Sequence, residues 1–253
     1  MNSGVTGSLP RIDEVAAPPP GLIESPLRPL ARRLLQRWYD VHLTGAEHVP
    51  ATGPAIVAGN HIGLIDGPLL ALVGPRPIHA LTKHEMFQGR LGGLLRATGQ
   101  IKVDRLHPDP AAVKAALRLL AEGRVVGLFP EGTRGAGEFD TFRGGAAYLA
   151  LVSGAPVVPV VVFGTRLTGA SSGSLPPRGT RIDVVFGEPA TVPRQAWPRT
   201  REQVATVSRL LQGTLVAHLD HARRLTGRSL PGPLPSTVPP DQHEHAHETD
   251  QGA

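Results

Sequence analysis

The amino-acid sequence predicts an α/β fold: a single layered domain with a largely parallel central sheet flanked by helices, preceded by an N-terminal basic amphipathic helix. Three observations carry this. Residues 55–58, 125–129 and 157–163 are short, apolar, mostly β-branched runs without polar alternation, as expected of strands buried on both faces. Segments of helical periodicity separate them, and helix crossovers between strands favour parallel pairing. At 253 residues and 40% hydrophobic content, the chain can build one sizeable core.

Taken in order, residues 1–25 are rich in Pro, Gly and Ser and read as disordered. A helix is predicted over 26–43, with Leu27, Leu30, Leu34, Leu35, Trp38 and Val41 along one side and Arg28, Arg32, Arg33 and Arg37 over much of the rest. A basic amphipathic helix bearing a Trp suits an anionic membrane surface; an equal alternative is a helix packed on the domain with a solvated arginine face. A strand at 55–58 is followed by a short helix at 66–73. A strand at 78–82, a helix at 91–98 and a short extended piece at 101–103 come next.

The following helix is marked by Asp109 as N-cap, Pro110 in the first turn, an apolar stripe of Val113, Ala116, Leu117 and Leu120, and Gly123 past its end. A strand at 125–129, a helix at 145–152 and strands at 157–163 and 181–186 complete the alternation. The last helix opens with a capping box, Thr200 to Gln203, carries Val204, Val207, Leu210, Leu211 and Leu215, and stops at Gly227. Residues 229–253 are Pro-rich and then acidic and read as a disordered tail, which leaves 26–228 as the domain.

Composition narrows the function. The chain has no cysteine, which excludes disulfides, thiolate metal sites and cysteine nucleophiles. The net charge is +5, and Asp241, Glu244, Glu248 and Asp250 all lie beyond the last basic residue, Arg228, so the body is more basic than the whole. A basic body suits an anionic partner, and with only 4% aromatic residues and no zinc-finger or RNP-like pattern, lipid is favoured over nucleic acid. The first twenty residues lack the apolar region of a signal peptide. The longest uncharged stretch, 144–165, is broken by Ser153-Gly154-Ala155-Pro156, so no transmembrane span is expected.

Chemistry concentrates in Asn60-His61-Ile62-Gly63-Leu64-Ile65-Asp66, directly after the first buried strand. A His and an Asp five apart do not share a helix face, so the pair straddles a turn. There a carboxylate could hold one imidazole nitrogen and leave the other free to take a proton. Alone, such a pair is more often a structural hydrogen bond. Phe129-Pro130-Glu131-Gly132-Thr133-Arg134 also follows a buried strand, and active groups in such sheets gather at strand carboxyl ends. Arg134 offers a planar fork for phosphate oxygens. Gly99-Gln100-Ile101-Lys102-Val103-Asp104-Arg105 places another cation past an extended segment, and Ala155-Pro156-Val157-Val158-Pro159-Val160 reads as an apolar wall.

These four stretches, in this order, resemble the glycerolipid acyltransferase family typified by bacterial 1-acyl-glycerol-3-phosphate acyltransferases. Asn60, His61 and Asp66 match its first block; Gly99, Ile101 and Arg105 its second; Phe129 to Arg134 its third in full; Pro156 to Pro159 its fourth. Lys83-His84-Glu85-Met86-Phe87 and Phe142-Arg143-Gly144-Gly145-Ala146 resemble two supporting segments. Gly63 stands where many members carry Ser or another polar residue, and Arg143 replaces the commoner Lys.

The resemblance implies an enzyme that moves a fatty acyl group from an acyl thioester to the hydroxyl of 1-acyl-glycerol-3-phosphate, giving phosphatidic acid in phospholipid biosynthesis. It implies His61 as general base and Asp66 as its orienting partner. Lys83, Arg105 and Arg134 would hold the acceptor's phosphate. Asn60, Glu131, Gly132 and Thr133 would bind or orient substrate, with Glu131 orienting Arg134 or touching the glycerol. No metal or organic cofactor is implied; acyl-CoA or an acyl carrier protein thioester is the co-substrate. The protein would sit peripherally on the cytoplasmic face of an anionic membrane, with no nucleic-acid partner.

Other acceptors, a different lysophospholipid or a lyso-aminolipid, fit the same blocks. So does a non-catalytic membrane-surface protein, although that would be expected to have lost His61 or Asp66. Gly169-Ala170-Ser171-Ser172-Gly173 matches the serine elbow of α/β-hydrolases, with Asp183 and His218 downstream, but Ser174-Leu175-Pro176-Pro177 follows where a helix is needed. His243, His245 and His247 in the tail form a histidine-rich tract that could bind metal, although a tail without supporting groups is a poor site.

Overall fold

The computed structural model of the chain describes residues 21–235. Residues 1–20 and 236–253, with His243, His245 and His247, lie outside the described residues, as do most of the two disordered segments expected from the sequence.

The strands are β1 (Asp40–Thr44), β2 (Ala55–Gly59), β3 (Ile78–Lys83), β4 (Ile101–Val103), β5 (Val125–Leu128), β6 (Val157–Phe163) and β7 (Arg181–Phe186). They form one sheet in the order β1-β7-β6-β2-β5-β3-β4. Every pairing is parallel except β6 with β7. The strands read from continuous apolar runs are the central ones: β2, β5 and β6 are buried at every position. Burial on both faces leaves no water to satisfy their backbone groups, so the ladders must do it.

The α-helices are α1 (Arg28–Trp38), α2 (Asp66–Val73), α3 (Gly89–Ala97), α4 (Pro110–Ala121), α5 (Gly145–Ser153) and α6 (Arg201–Thr226). Two apolar clusters show how the layers stack. Leu117, Leu119 and Leu120 of α4, Leu149 and Leu151 of α5, and Leu211, Leu215 and Leu219 of α6 share one cluster with one face of the sheet. Leu69, Leu70 and Val73 of α2 and Leu35 of α1 pack with the other face. The local signals act as read: the Asp109 side chain accepts from Ala112 N at 2.9 Å, and the Thr200–Gln203 capping box closes reciprocally at 3.1 and 2.9 Å. Each cap contributes about 1 kcal/mol.

Three expectations are corrected. The first helix does not run to residue 43: α1 ends at Trp38, Tyr39 is extended, and β1 follows, a strand the sequence reading missed. The window suits both periods, because Trp38 and Val41 extend a helical stripe while Val41 and Leu43 alternate. Pairing decides it, since Asp40 to Thr44 run alongside Arg181 to Val185 of β7, and Val41 and Leu43 pack beneath. Residues 21–25 are not disordered: Leu22–Glu24 form a 3-10 turn and Ile23 is 1% exposed. The chain past Arg228 also stays docked, with Leu230 against the core and Gly232 O accepting from Arg166. Among the described residues no helix is long and apolar enough to cross a membrane.

Candidate active site

Strands β2 to β6 run in one direction, so their carboxyl ends gather along one edge of the sheet. The exits of β2, β5 and β4 carry His61, Glu131 and Arg105, and those of β3 and β6 carry Lys83 and Thr165. Residues distant in sequence therefore meet because the strands are parallel.

Asp66 begins α2, where the helix N-terminus favours a negative charge. Its carboxylate is completely buried. Oδ2 accepts from His61 Nδ1 at 2.8 Å, Ile62 N at 2.8 Å and Gly63 N at 2.9 Å, and Oδ1 accepts from the Thr165 hydroxyl. A carboxylate only accepts, so His61 carries its hydrogen on Nδ1 and presents the Nε2 lone pair. Among the described residues Nε2 has no partner, and His61 lines a cavity of about 770 Å³. The imidazole lies on Phe129, with ring centroids 4.2 Å apart and planes at 15°.

The turn bearing this pair is held from two sides. Glu131 Oε2 accepts from His61 N at 2.8 Å and Oε1 from Phe139 N at 3.2 Å, while Gly135 N donates to His61 O at 2.9 Å. From β6, the Arg166 guanidinium, 2% exposed, donates to Ile62 O, Ala170 O, Gly135 O and Gly232 O. Gly63 is required here: a Cβ would come within 2.5 Å of Thr165 O. Thr165 supplies a hydroxyl beside Asp66 from the opposite strand.

Of the residues singled out from the sequence, His61, Lys83, Arg105, Gly132 and Arg134 line the one cavity. Lys83 Nζ pairs with Glu85 at 2.7 Å, Arg134 Nη1 donates to Ser172 O at 2.7 Å, and Arg105 Nη1 donates to Gly132 O. Arg105 Nε is buried without a partner among the described residues. Burial lowers the Arg105 pKa, Glu85 opposes that, and nearby Arg143 and Arg134 add to the lowering, so the cations are close enough to repel. An anion placed among them would relieve both costs.

Other assignments change. Glu131 does not orient Arg134; it holds the backbone of His61. Asn60 is fully buried and clamps β2 to β6, donating to Val162 O at 3.0 Å and accepting from Val162 N at 2.8 Å. Thr133 is exposed and stands outside the cavity. Gly132 adopts a left-handed φ of 73°, and a Cβ there would strike the Arg143 side chain. Arg143 joins the cavity wall as a fourth cation and donates to Arg105 O at 2.8 Å. The sequence reading passed over Thr165 and Arg166; the one available signal was a charge abutting a long uncharged run.

The esterase arrangement does not assemble. Ser171 O closes a turn with Ser174, Asp183 is bound by Arg181 and Arg228, and His218 Nε2 pairs with Val185 O.

Burial pushes the Glu131 carboxyl up to about 7 from its ordinary 4.5, against the pull of its two N–H partners, with the charges of Asp140 and Asp66 adding to the rise. Between these values the folded chain holds a proton that the unfolded chain has released, so this contribution to stability is full below about 4.5 and lost as pH rises through about 7. The unfolding free energies of wild type and Glu131→Gln, measured across that range, should therefore move relative to one another by about 3 kcal/mol as pH rises, the wild type alone losing stability. Parallel curves would show that Glu131 titrates normally.

The acyltransferase family model matches residues 40–163. The chain is 31% identical to the 1-acyl-sn-glycerol-3-phosphate acyltransferase of Bacillus subtilis, covering 68% of this chain and 84% of that one. It is 32% identical to the protein of the same name from Borreliella burgdorferi, over 49% of this chain and 51% of the other. The fold resembles the crystal structure of the 1-acyl-sn-glycerophosphate (LPA) acyltransferase PlsC from Thermotoga maritima, with a TM-score of 0.54 and 22% identity, covering 77% and 78% of the two chains.

Proposed function

This chain belongs to the acyltransferase family, and from that premise we propose that it transfers a fatty acyl group from an acyl thioester to the free hydroxyl of 1-acyl-glycerol-3-phosphate, giving phosphatidic acid. The observation that carries the reading is His61, backed by the buried Asp66, on the wall of a cavity that joins a cluster of four cations, Lys83, Arg105, Arg134 and Arg143, to a largely apolar wall.

His61 Nε2 takes the hydroxyl proton as that oxygen attacks the thioester carbonyl. Asp66 keeps the ring in the required tautomer and stabilises the imidazolium that forms. The tetrahedral intermediate collapses by breaking the carbon–sulfur bond, and the imidazolium returns its proton to the departing thiolate. The products are phosphatidic acid and a free thiol; no acyl-enzyme and no cofactor enters. The cations hold the acceptor phosphate with its hydroxyl beside His61, positioning that supplies several kcal/mol of the barrier. The unpartnered Arg105 Nε supports an anionic ligand.

A peripheral position on an anionic membrane is supported by α1. Leu27, Leu30, Leu34 and Trp38 are 60%, 55%, 60% and 55% exposed on one face, and Leu27 and Ala31 also line the cavity. The apolar stripe thus leads from the cavity mouth onto the surface, with Arg33 and Arg37 exposed nearby. Arg28 takes no part, since it donates to Gly74 O at 2.5 Å and Arg76 O at 3.1 Å.

The test is thioester-dependent acylation in anionic vesicles containing 1-acyl-glycerol-3-phosphate, lysophosphatidylcholine or monoacylglycerol. Wild type should prefer the first by at least about tenfold, and Leu30→Glu/Leu34→Glu should no longer sediment with the vesicles. Preference for another acceptor would overturn the phosphate assignment, and undiminished sedimentation the membrane face.

A further inference from the structure

One wall of the cavity is contributed by the chain that precedes α1. Leu22, Ile23 and Leu27 line it, opposite residues from β3 and α4. This strap, residues 21–27, lies flat on the turn at Thr98 and Gly99: a Cβ on Gly21 would meet Thr98 C at 2.3 Å and Gly99 N at 2.5 Å. Its outer side is no better filled. A second cavity of about 430 Å³ is bordered by Ile23, Glu24, Ser25 and Arg28, so the strap runs between two voids. Apart from the buried Ile23, little apolar packing holds it, and the rest of its fixation falls to polar contacts.

One contact dominates. Glu24 Oε1 sits 2.8 Å from Nε2 of His79, which is completely buried in β3. The other ring nitrogen, Nδ1, is 2.8 Å from Gly99 O. A carbonyl only accepts, so Nδ1 carries a hydrogen; the pair then shares a second proton between Nε2 and the carboxylate. Arg124 Nε lies 3.5 Å from the same Glu24 oxygen. Buried, charge-assisted hydrogen bonds of this kind are about twice as strong as neutral ones, and breaking one strands the buried partner.

We infer that the Glu24–His79 pair is the pin that sets acyl-chain selectivity, by holding the strap as the far wall of the apolar cavity. The inference rests on the acyl-transfer reading of that cavity. A long acyl chain reaches Leu22 and Ile23 and is retained by them, whereas a short chain ends before the strap and is indifferent to it. Glu24 and His79 are in this sense specificity-determining residues that touch neither hydroxyl nor thioester.

The test compares palmitoyl and octanoyl thioesters of coenzyme A with full-length wild type, Glu24→Ala and Glu24→Gln. Glu24 is on the strap and partly exposed, and the backbone ladders of β3 with β4 and β5 do not involve it, so the sheet remains paired in both variants although His79 loses a partner. Glu24→Ala should lower kcat/KM for palmitoyl by about tenfold and change octanoyl less than about twofold, with Glu24→Gln between. Equal losses for the two donors, or an unchanged ratio, would overturn the inference.

Binding of the fluorescent fatty acid cis-parinaric acid needs no turnover and reads the wall independently. Its Kd should rise about tenfold in Glu24→Ala, and an unchanged Kd would equally overturn the inference. A wild type that acylates no lysolipid sinks the acyl-transfer reading instead.

Discussion

Replacing His61 by alanine is expected to lower kcat about a thousandfold while leaving KM for the acceptor within about threefold, the pattern of a lost transition-state interaction. The cations and apolar walls proposed to bind substrates are untouched by this change. The turn also survives, because Ile62 N, Gly63 N and the Thr165 hydroxyl still satisfy Asp66, and Glu131 still holds the backbone at position 61. Truncation leaves a ring-sized space against Phe129. Added imidazole should therefore restore part of the activity, a result that a purely structural histidine could not give. Activity retained in the alanine variant would remove His61 from the chemistry and the mechanism with it.

The second large effect is on stability. Arg166→Met should cost about 4 kcal/mol, since it deletes a buried guanidinium and leaves carbonyls at 62, 135, 170 and 232 to find other donors. In a domain of this size that corresponds to a fall in Tm of roughly 8–16 °C. Burial lowers the Arg166 pKa, and the negative charge of nearby Asp66 partly opposes that. Losing the cation therefore removes a favourable charge from the neighbourhood of Asp66, which keeps its four N–H and O–H donors. Arg166→Lys can reach only part of the set and should fall between. A melting temperature within about 2 °C of wild type would show that water replaces the side chain at little cost.

The contrast between these residues explains what could be read before the fold was known. His61 and Asp66 are five positions apart and sit beside a buried strand, so local pattern and spacing are enough to raise them. The same holds for caps such as Asp109 and Thr200, whose partners lie three residues away. Arg166 ties together four segments lying up to 104 positions from it, and no window of sequence contains that arrangement. The β1 strand failed for a related reason: its residues fit a helical stripe locally, and only the ladder with β7, some 140 residues on, selects the extended form. Glu131 shows an intermediate case, where the residue was visible but its partner was not. An exposed-looking Glu three places before an Arg suggests an ion pair, yet burial turned it toward two backbone N–H groups.

Gly63 and Thr165 divide a single task. The space beside Asp66 admits one hydroxyl, and here it arrives from β6 because the Thr165 backbone occupies the volume any side chain at 63 would need. A relative with serine at the position of Gly63 must have moved that strand exit, because the nearest obstructing atoms belong to the backbone at 165. The two positions thus constrain each other sterically: a side chain at 63 and the present path of the chain through 165 cannot coexist, and losing the hydroxyl at 165 leaves the Asp66 carboxylate short of a donor. Compatibility between segments, rather than the identity of either, is what this turn requires.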